Sequence, residues 1–353
     1  MSRIQFSYED RTRTVQDGHG VIFSGDGGII LGVDKGKFKA RTYTVPIRTH
    51  IIWQWAFSGL ETLEEIRFET VEGTGTLEYL GEFAFECCPN LRKVHLPDSV
   101  RLMGQCVFSG CRRLEEVHLP ENLRSIPCEC FDGCESLERI NIPGRLECFE
   151  ICCFRGCGKL SDVRWPSTLR WMEDTAFYGT ALEDVVLPEG LEFIGEDMFR
   201  DCPGLRRLVI PSTVKRIVPW TVSDSPVFEG ITCHSPLFRV EGEALIRNAD
   251  DAMLCCWTRS ERYAVPSGVR RLDGFGSGSV RILTCDHPLE GIGYDCFGGC
   301  ESLKEVSLQA VGEIADSAFF GLTDVKVTVD GKPYPIPRDD EGIAMRPYFP
   351  YQG

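Results

Sequence analysis

A β-rich repeat solenoid is the fold that the sequence predicts, and three observations predict it. Phenylalanine recurs at a fixed interval: Phe85, Phe108, Phe131, Phe154 and Phe177 stand 23 residues apart, and Phe199 follows 22 later. A period in the low twenties marks stacked coils, each unable to bury its apolar positions without neighbours. Every period also carries the pattern L-x-x-V-x-L, whose alternation at its end reads as a short strand with two inward residues. Finally, a proline follows that pattern each time, at Pro97, Pro120, Pro143, Pro166, Pro188 and Pro211. Proline cannot donate to a strand ladder, so it ends the strand there.

The positions of one unit follow in order from the Phe. Three residues on stand Cys88, Cys111, Cys134 and Cys157, then Thr180, then Cys202. Leu91, Leu114, Leu137, Leu160 and Leu182 come next, before the inward pairs Val94/Leu96, Val117/Leu119, Ile140/Ile142, Val163/Trp165 and Val185/Leu187. After the proline come Val100, Leu123, Leu146, Leu169, Leu191 and Val214, and the unit closes with Met103, Ile126, Phe149, Met172, Ile194 and Ile217. The segment around the Phe is short enough for turns or a single helical turn.

The repeat accounts for a stretch that otherwise suggests a metal site or a disulfide knot, residues 128–157, CECFDGCESLERINIPGRLECFEICCFRGC. Four of its seven cysteines fall on the position three after the Phe (Cys134 and Cys157) or on the small slot before it (Cys130 and Cys153, where other units have Ala84, Val107 and Ala176). Buried thiols behave as small hydrophobes. A stacked column spreads sulfurs along a line, whereas zinc needs four converging ligands. A packing column of free thiols is therefore the expectation, with no metal and no cofactor.

The unit C-x-x-L-x-x-V-x-L-P-x-x-V-x-x-I-x-x-x-A-F resembles the BspA-type leucine-rich repeat, over roughly residues 20–330 with interruptions. The resemblance implies a solenoid with repeats of 22–23 residues, a strand on one face and turns or short helical segments on the other, and a binding role. Many members resemble bacterial or protozoan surface proteins that contact host proteins or other cells.

Two segments read as a second module used twice: VIFSGDGGIILGVDKGKFKARTYTVP and LFRVEGEALIRNADDAMLCCWTRSERYAVP. Each has apolar runs joined by Gly- or Asp-rich turns and ends in Y-x-V-P, a β-hairpin followed by re-entry into the array. The organisation expected is an N-terminal hairpin cap at 1–50, repeats at 51–218, an interruption with the second hairpin at 219–270, resumed repeats at 271–330, and a Pro/aromatic-rich tail at 331–353. The tail is expected to cap the last coil or to offer a peptide motif.

Composition narrows function. The chain of 353 residues has a formal net charge of −15 and no run of Lys/Arg, which argues against nucleic-acid binding. No stretch of eighteen apolar residues exists to span a membrane. The N-terminal residues MSRIQFSYEDRTRTV lack the apolar core of a secretion signal, so a cytoplasmic monomer is expected, with an adhesin exported unconventionally to the cell surface, binding a host or extracellular protein or glycan, as the alternative. No G-x-S-x-G, H-E-x-x-H or phosphate-loop pattern occurs, and SGDGG at 24–28 reads as a hairpin turn. The chain is read as non-enzymatic; a metal-dependent or thiol enzyme is the remaining alternative.

With Val94 and Leu96 inward, Lys93 and His95 point outward. Two outward columns result, Glu65, Lys93, Glu116, Arg139, Asp162, Asp184, Arg207 and Arg67, His95, His118, Asn141, Arg164, Val186, Val209. The residues from Lys93 and His95 onward are the candidate surface for a protein partner. His95 and His118 are expected one above the other, beside Glu116.

Overall fold

The computed structural model describes residues 13–72 and 74–336. The chain forms two compact units, Met1–Leu182 and Glu183–Gly353, and each is built of parallel coils with no helix among the described residues.

In the first unit the L-x-x-V-x-L pattern forms the expected strands. Thr42–Val45, Glu65–Phe68, Lys93–His95, Glu116–His118 and Arg139–Ile140 lie side by side in one parallel sheet. Val94 pairs with Val117, and Val117 with Ile140, all in one register. A second set of strands, which the repeat pattern alone does not announce, occupies the positions that close each unit. Ile51–Ile52, Tyr79–Leu80 and Leu102–Met103 run parallel in one sheet, and Ser125–Ile126, Cys148–Phe149 and Trp171–Met172 in another. Each coil thus has two short strands joined by turns.

The turns around the Phe show why no helix forms. Alternate backbone N–H groups donate to the next coil: Cys106 to Cys128 O (2.9 Å), Phe108 to Cys130 O (2.9 Å) and Gly110 to Asp132 O (2.7 Å). The same three positions of the following coil repeat it, with Glu129 to Ile151 O, Phe131 to Cys153 O and Gly133 to Arg155 O. A helix would consume these donors internally; here they form a third inter-coil ladder made of turns. The geometry requires left-handed backbone at Trp55, Phe83, Cys106, Glu129, Cys152 and Thr175, with φ between 53° and 58°.

The phenylalanines stack along the core. Ring centroids of Phe57, Phe85, Phe108, Phe131 and Phe154 are 5.1–5.5 Å apart with interplanar angles of 5–11°. The cysteine column does more than fill space. The thiols of Cys88, Cys111, Cys134 and Cys157 donate to the carbonyls of Phe57, Phe85, Phe108 and Phe131 at 3.1–3.2 Å. Each S–H therefore ties its coil to the one before, in a position where alanine would leave a gap and lose a donor. Cys130 and Cys153 are fully buried before their Phe, as expected, and all eighteen cysteines are free.

One strand of the repeat is missing. Residues 162–165 carry no ladder, and Trp165 stands where other coils have Leu or Ile. Its indole packs edge-on against Phe149 and Phe177, at 5.9 and 5.1 Å. That ring is larger than the Leu or Ile of the other coils, and the gap in the ladder coincides with it. At the last strand of this sheet the Asn141 side chain pairs with the preceding coil: its Oδ1 accepts from Leu119 N–H and its Nδ2 donates to Leu119 O, at 2.6 and 2.9 Å.

The two hairpin modules each prove to have three antiparallel strands. Thr14–Gln16, Val21–Ser24 and Ile29–Val33 form one; Phe238–Glu241, Ala244–Arg247 and Ala252–Cys256 form the other. In each, the third strand continues as the first parallel member of a closing-position sheet, pairing with Ile51–Ile52 and with Arg271–Leu272 respectively. The Y-x-V-P segments re-enter as Thr42–Val45 and Arg262–Ala264, parallel to the next coils.

Within the second unit, Asp184–Val186, Arg207–Ile210 and Gly230–Cys233 form a parallel sheet, and Arg262–Ala264, Ile282–Cys285, Glu305–Leu308 and Lys326–Val329 form another. Asp330 and Gly331, both at positive φ, then turn the chain back so that Lys332–Pro333 pairs antiparallel with Lys326–Val329. Tyr334 and Ile336 pack on the core of this unit. The remainder of the expected tail lies outside the described residues.

Core truncation is expected to be costly at the Phe column and milder at the thiols. Phe131→Ala should lower the unfolding free energy by about 3–5 kcal/mol. Cys134→Ala, which loses one sulfur and one weak donor, should cost about 1–2 kcal/mol. Urea unfolding of both variants checks the order; equal losses would deny the aromatic stack its leading role.

Candidate functional site

The outward residues of the first-unit sheet sit on strands pinned in register, so their side chains form true columns. In the first column Glu116 lies between two cations, 2.8 Å from Arg139 and 3.5 Å from Lys93. Partial burial would raise its pKa, but Arg139 and Lys93 outweigh that and hold it below the ordinary value. With Glu65 in register beside Lys93, the column alternates two acids and two bases. Such exposed pairs contribute roughly 0–1 kcal/mol each and leave little net charge for a partner.

The second column is different. His95 and His118 are cross-strand neighbours, with ring centroids 4.1 Å apart and planes inclined at 29°. Burial and then His118 push the His95 pKa below 6.5, against the pull of Asp98 and Glu116. Asn141, expected to face outward, is half-buried and has its amide spent on Leu119. Asp162 and Arg164 are exposed as expected but stand beyond the last strand of this sheet, in the gap at residues 162–165.

In the second unit Asp184 and Arg207 form a two-pronged ion pair across adjacent strands, at 3.0 and 2.8 Å. The hydrogen bonds from Arg207 lower the Asp184 pKa. Val186 and Val209 pair in register; Val186 is 61% exposed, an uncovered aliphatic side chain, and Val209 is half-buried.

Sequence reasoning overlooked the opposite face. On the closing-position strands of the first unit, Leu102 is 55% and Trp171 45% exposed. Nearby in that unit Trp55 stacks on Phe83 at 5.2 Å, with both residues left-handed. The available signal was the residue before each closing apolar position: Tyr79, Leu102, Ser125, Cys148, Trp171. Strands of two residues give no alternation to read. Among the described residues no group of three or more His, Cys, Asp or Glu is arranged to hold a metal ion, and no helix is long and apolar enough to cross a membrane.

These coils have counterparts among known proteins. A family model described as the BspA type leucine rich repeat region matches in 6 copies, over residues 35–147, 104–229 and 273–332. The chain belongs to the BspA-type leucine-rich repeat family. Among solved structures, this BspA-type protein is similar to a leucine-rich repeat protein from Bacteroides ovatus at 18% identity, covering 91% of this chain and 79% of that one, with a TM-score of 0.52. It is also similar to a leucine rich cell surface protein from Faecalibacterium prausnitzii at 19% identity, covering 89% and 79%, with a TM-score of 0.50. At these identities the likeness concerns the fold. No curated protein matches the sequence. Membership makes the chain a repeat scaffold and explains both strand sets as one architecture.

The histidine pair gives a pH test. His95 should titrate with a midpoint below 6.5 in proton NMR, and His118→Gln should move it partly back, because burial persists. The folded state thus binds fewer protons here than the unfolded one. This contribution to stability is complete above pH 6.5 and is lost as pH falls through the folded midpoint. A midpoint unchanged by His118→Gln would show that the two rings do not couple.

Proposed function

We propose that the protein is a non-enzymatic scaffold that binds a protein partner on the outward face of its first-strand sheets. The observation that carries this reading is the residue left over once the ladder charges have paired. The His95–His118 stack in the first unit and Val186 in the second are displayed on strands that cannot shift register. Rigid display lowers the ordering cost of association, and uncovered apolar or aromatic groups beside paired charges suit a protein surface. Cysteine chemistry gives no support to a thiol enzyme: burial pushes Cys106 up to about 12 and Cys128 up to about 11, and raises the exposed Cys87. The neighbouring Cys111 thiol lowers Cys88, but Cys88 is sealed in the core.

The thiol hydrogen bonds of the core need reduced sulfur, which favours a reducing compartment. Capture from the source lysate tests the site. The double variant His95→Ser/His118→Ser and, separately, Val186→Asp should each fold normally. At least one should recover about tenfold less partner, the loss typical of a contact worth removing. Unchanged recovery by both would move the site elsewhere.

A second reading, display outside the cell, is favoured by the description of the Faecalibacterium prausnitzii neighbour as a cell surface protein. Labelling of intact cells with an impermeant amine reagent separates the two. The intracellular reading expects label only after lysis, and label before lysis supports display.

A further inference from the structure

The second unit contains a cleft of about 360 Å³ that the face described above does not include. It lies on the closing-position sheet, where Arg271, Gly291 and Glu313 are cross-strand neighbours on Arg271–Leu272, Leu289–Ile292 and Val311–Ile314. The central outward position is a glycine between two long side chains, so the sheet surface dips there. The corresponding column of the first unit carries Tyr79 and Leu102 instead. A Cβ on Gly291 would lie 3.0 Å from Arg271 Nη1, so the guanidinium lies across the bare backbone and forms part of the floor. Trp220 and Tyr294 form the aromatic walls, and Tyr294 is 60% exposed.

The polar groups are held in place before any ligand arrives. Asp273 accepts from Arg247 Nη2 at 2.7 Å, and Arg271 Nε stands 3.6 Å from its other oxygen. Arg247 is itself fixed by two hydrogen bonds to Asp250. The cleft therefore presents both signs side by side. An anion would meet Asp273 and Glu313, and a cation would meet Arg271. A neutral ligand rich in hydroxyls meets no such repulsion. With Asp273 engaged by Arg247 and Arg271, a hydroxyl donates to Glu313 and accepts from the Arg271 guanidinium, while the C–H face of a sugar ring lies on an aromatic wall, whose apolar body and polar tip suit it. The volume falls at the small end of ligand sites, roughly 300–1,000 Å³, enough for one or two rings.

We infer that this cleft is a binding site for a neutral pyranose unit of a glycan. The site is independent of the protein-binding face, and neither depends on the other.

Saturation-transfer NMR on the full chain tests it with methyl glycosides of glucose, galactose and mannose, and with N-acetylglucosamine. N-acetylneuraminic acid and glucosamine serve as charged comparisons. At least one neutral sugar should show transfer to its ring protons, and the charged sugars much less. Tyr294→Ala, at an exposed position, should weaken binding about tenfold, the scale of one lost stacking contact. Gly291→Val, which fills the floor and displaces Arg271, should abolish transfer with the circular dichroism unchanged; if that variant fails to fold, Tyr294→Ala decides. His95→Ser/His118→Ser should bind as the parent does. No transfer to any neutral sugar, equal transfer to a charged one, or transfer that survives Tyr294→Ala would each overturn the assignment.

Discussion

Everything in this structure depends on where the turn amides donate. In the first unit three N–H groups per coil, at the residue two before the Phe, the Phe itself and the glycine-like position two after it, find their carbonyls in the next coil and not in their own. That choice forbids a helix on the back of the repeat and fixes the coil spacing. It places at least one non-glycine residue of each first-unit coil in left-handed backbone. A non-glycine residue there costs of order 1 kcal/mol, and only a neighbouring coil supplies the three hydrogen bonds that offset it. The Phe stack and the thiol column follow from the same spacing: rings about 5 Å apart lie face to face, and a sulfur three residues on reaches the preceding carbonyl. Cohesion is therefore a property of coil pairs, as expected of a nearly one-dimensional array.

The same spacing disposes of most of the surface charge. Residues 23 apart become neighbours, and pairs such as Arg92 with Glu115 and Arg155 with Asp132 close across coils at 2.9 and 2.6 Å. A net charge of −15 thus coexists with outward columns that are nearly neutral locally. What distinguishes one stretch of the surface from another is the set of positions that drop out of this pairing: stacked imidazoles, an uncovered valine, a glycine between long side chains. Recognition by such a protein is written in exceptions to its repeat.

The columns of the core were legible because a 23-residue period places identical residues at identical depths. Phe108, Cys111, Leu114 and Val117 could be assigned inward from spacing alone, and so could the outward direction of Lys93 and His95. The in-register meeting of His95 with His118 was legible for the same reason. Three things were not. The closing strands are two residues long, so Leu102 and Trp171 gave no alternation to mark them as exposed. Asn141 looks like any outward residue until its amide is seen to pair with Leu119 of the preceding coil, where other coils use main chain. The third is the gap at residues 162–165, where Trp165, apolar and in the right slot, is the largest residue at that position; a pattern that scores only hydrophobicity cannot register volume. The Asp330-Gly331 turn did carry a local signal, since that dipeptide favours the tight reversal it makes.

That reversal bears on assembly. A stack of parallel strands ends in an edge able to template another copy, and repeat proteins with two such open ends polymerise head to tail. Here the last parallel strand is covered by a two-residue strand running the other way, whose members are a lysine and a proline. The lysine places charge where a docking chain would have to bury it, and the proline offers no amide to continue the ladder. On this edge of the sheet, unlike the neighbouring sheet that ends at Val311–Ile314, the ladder has no free row of amides left to offer.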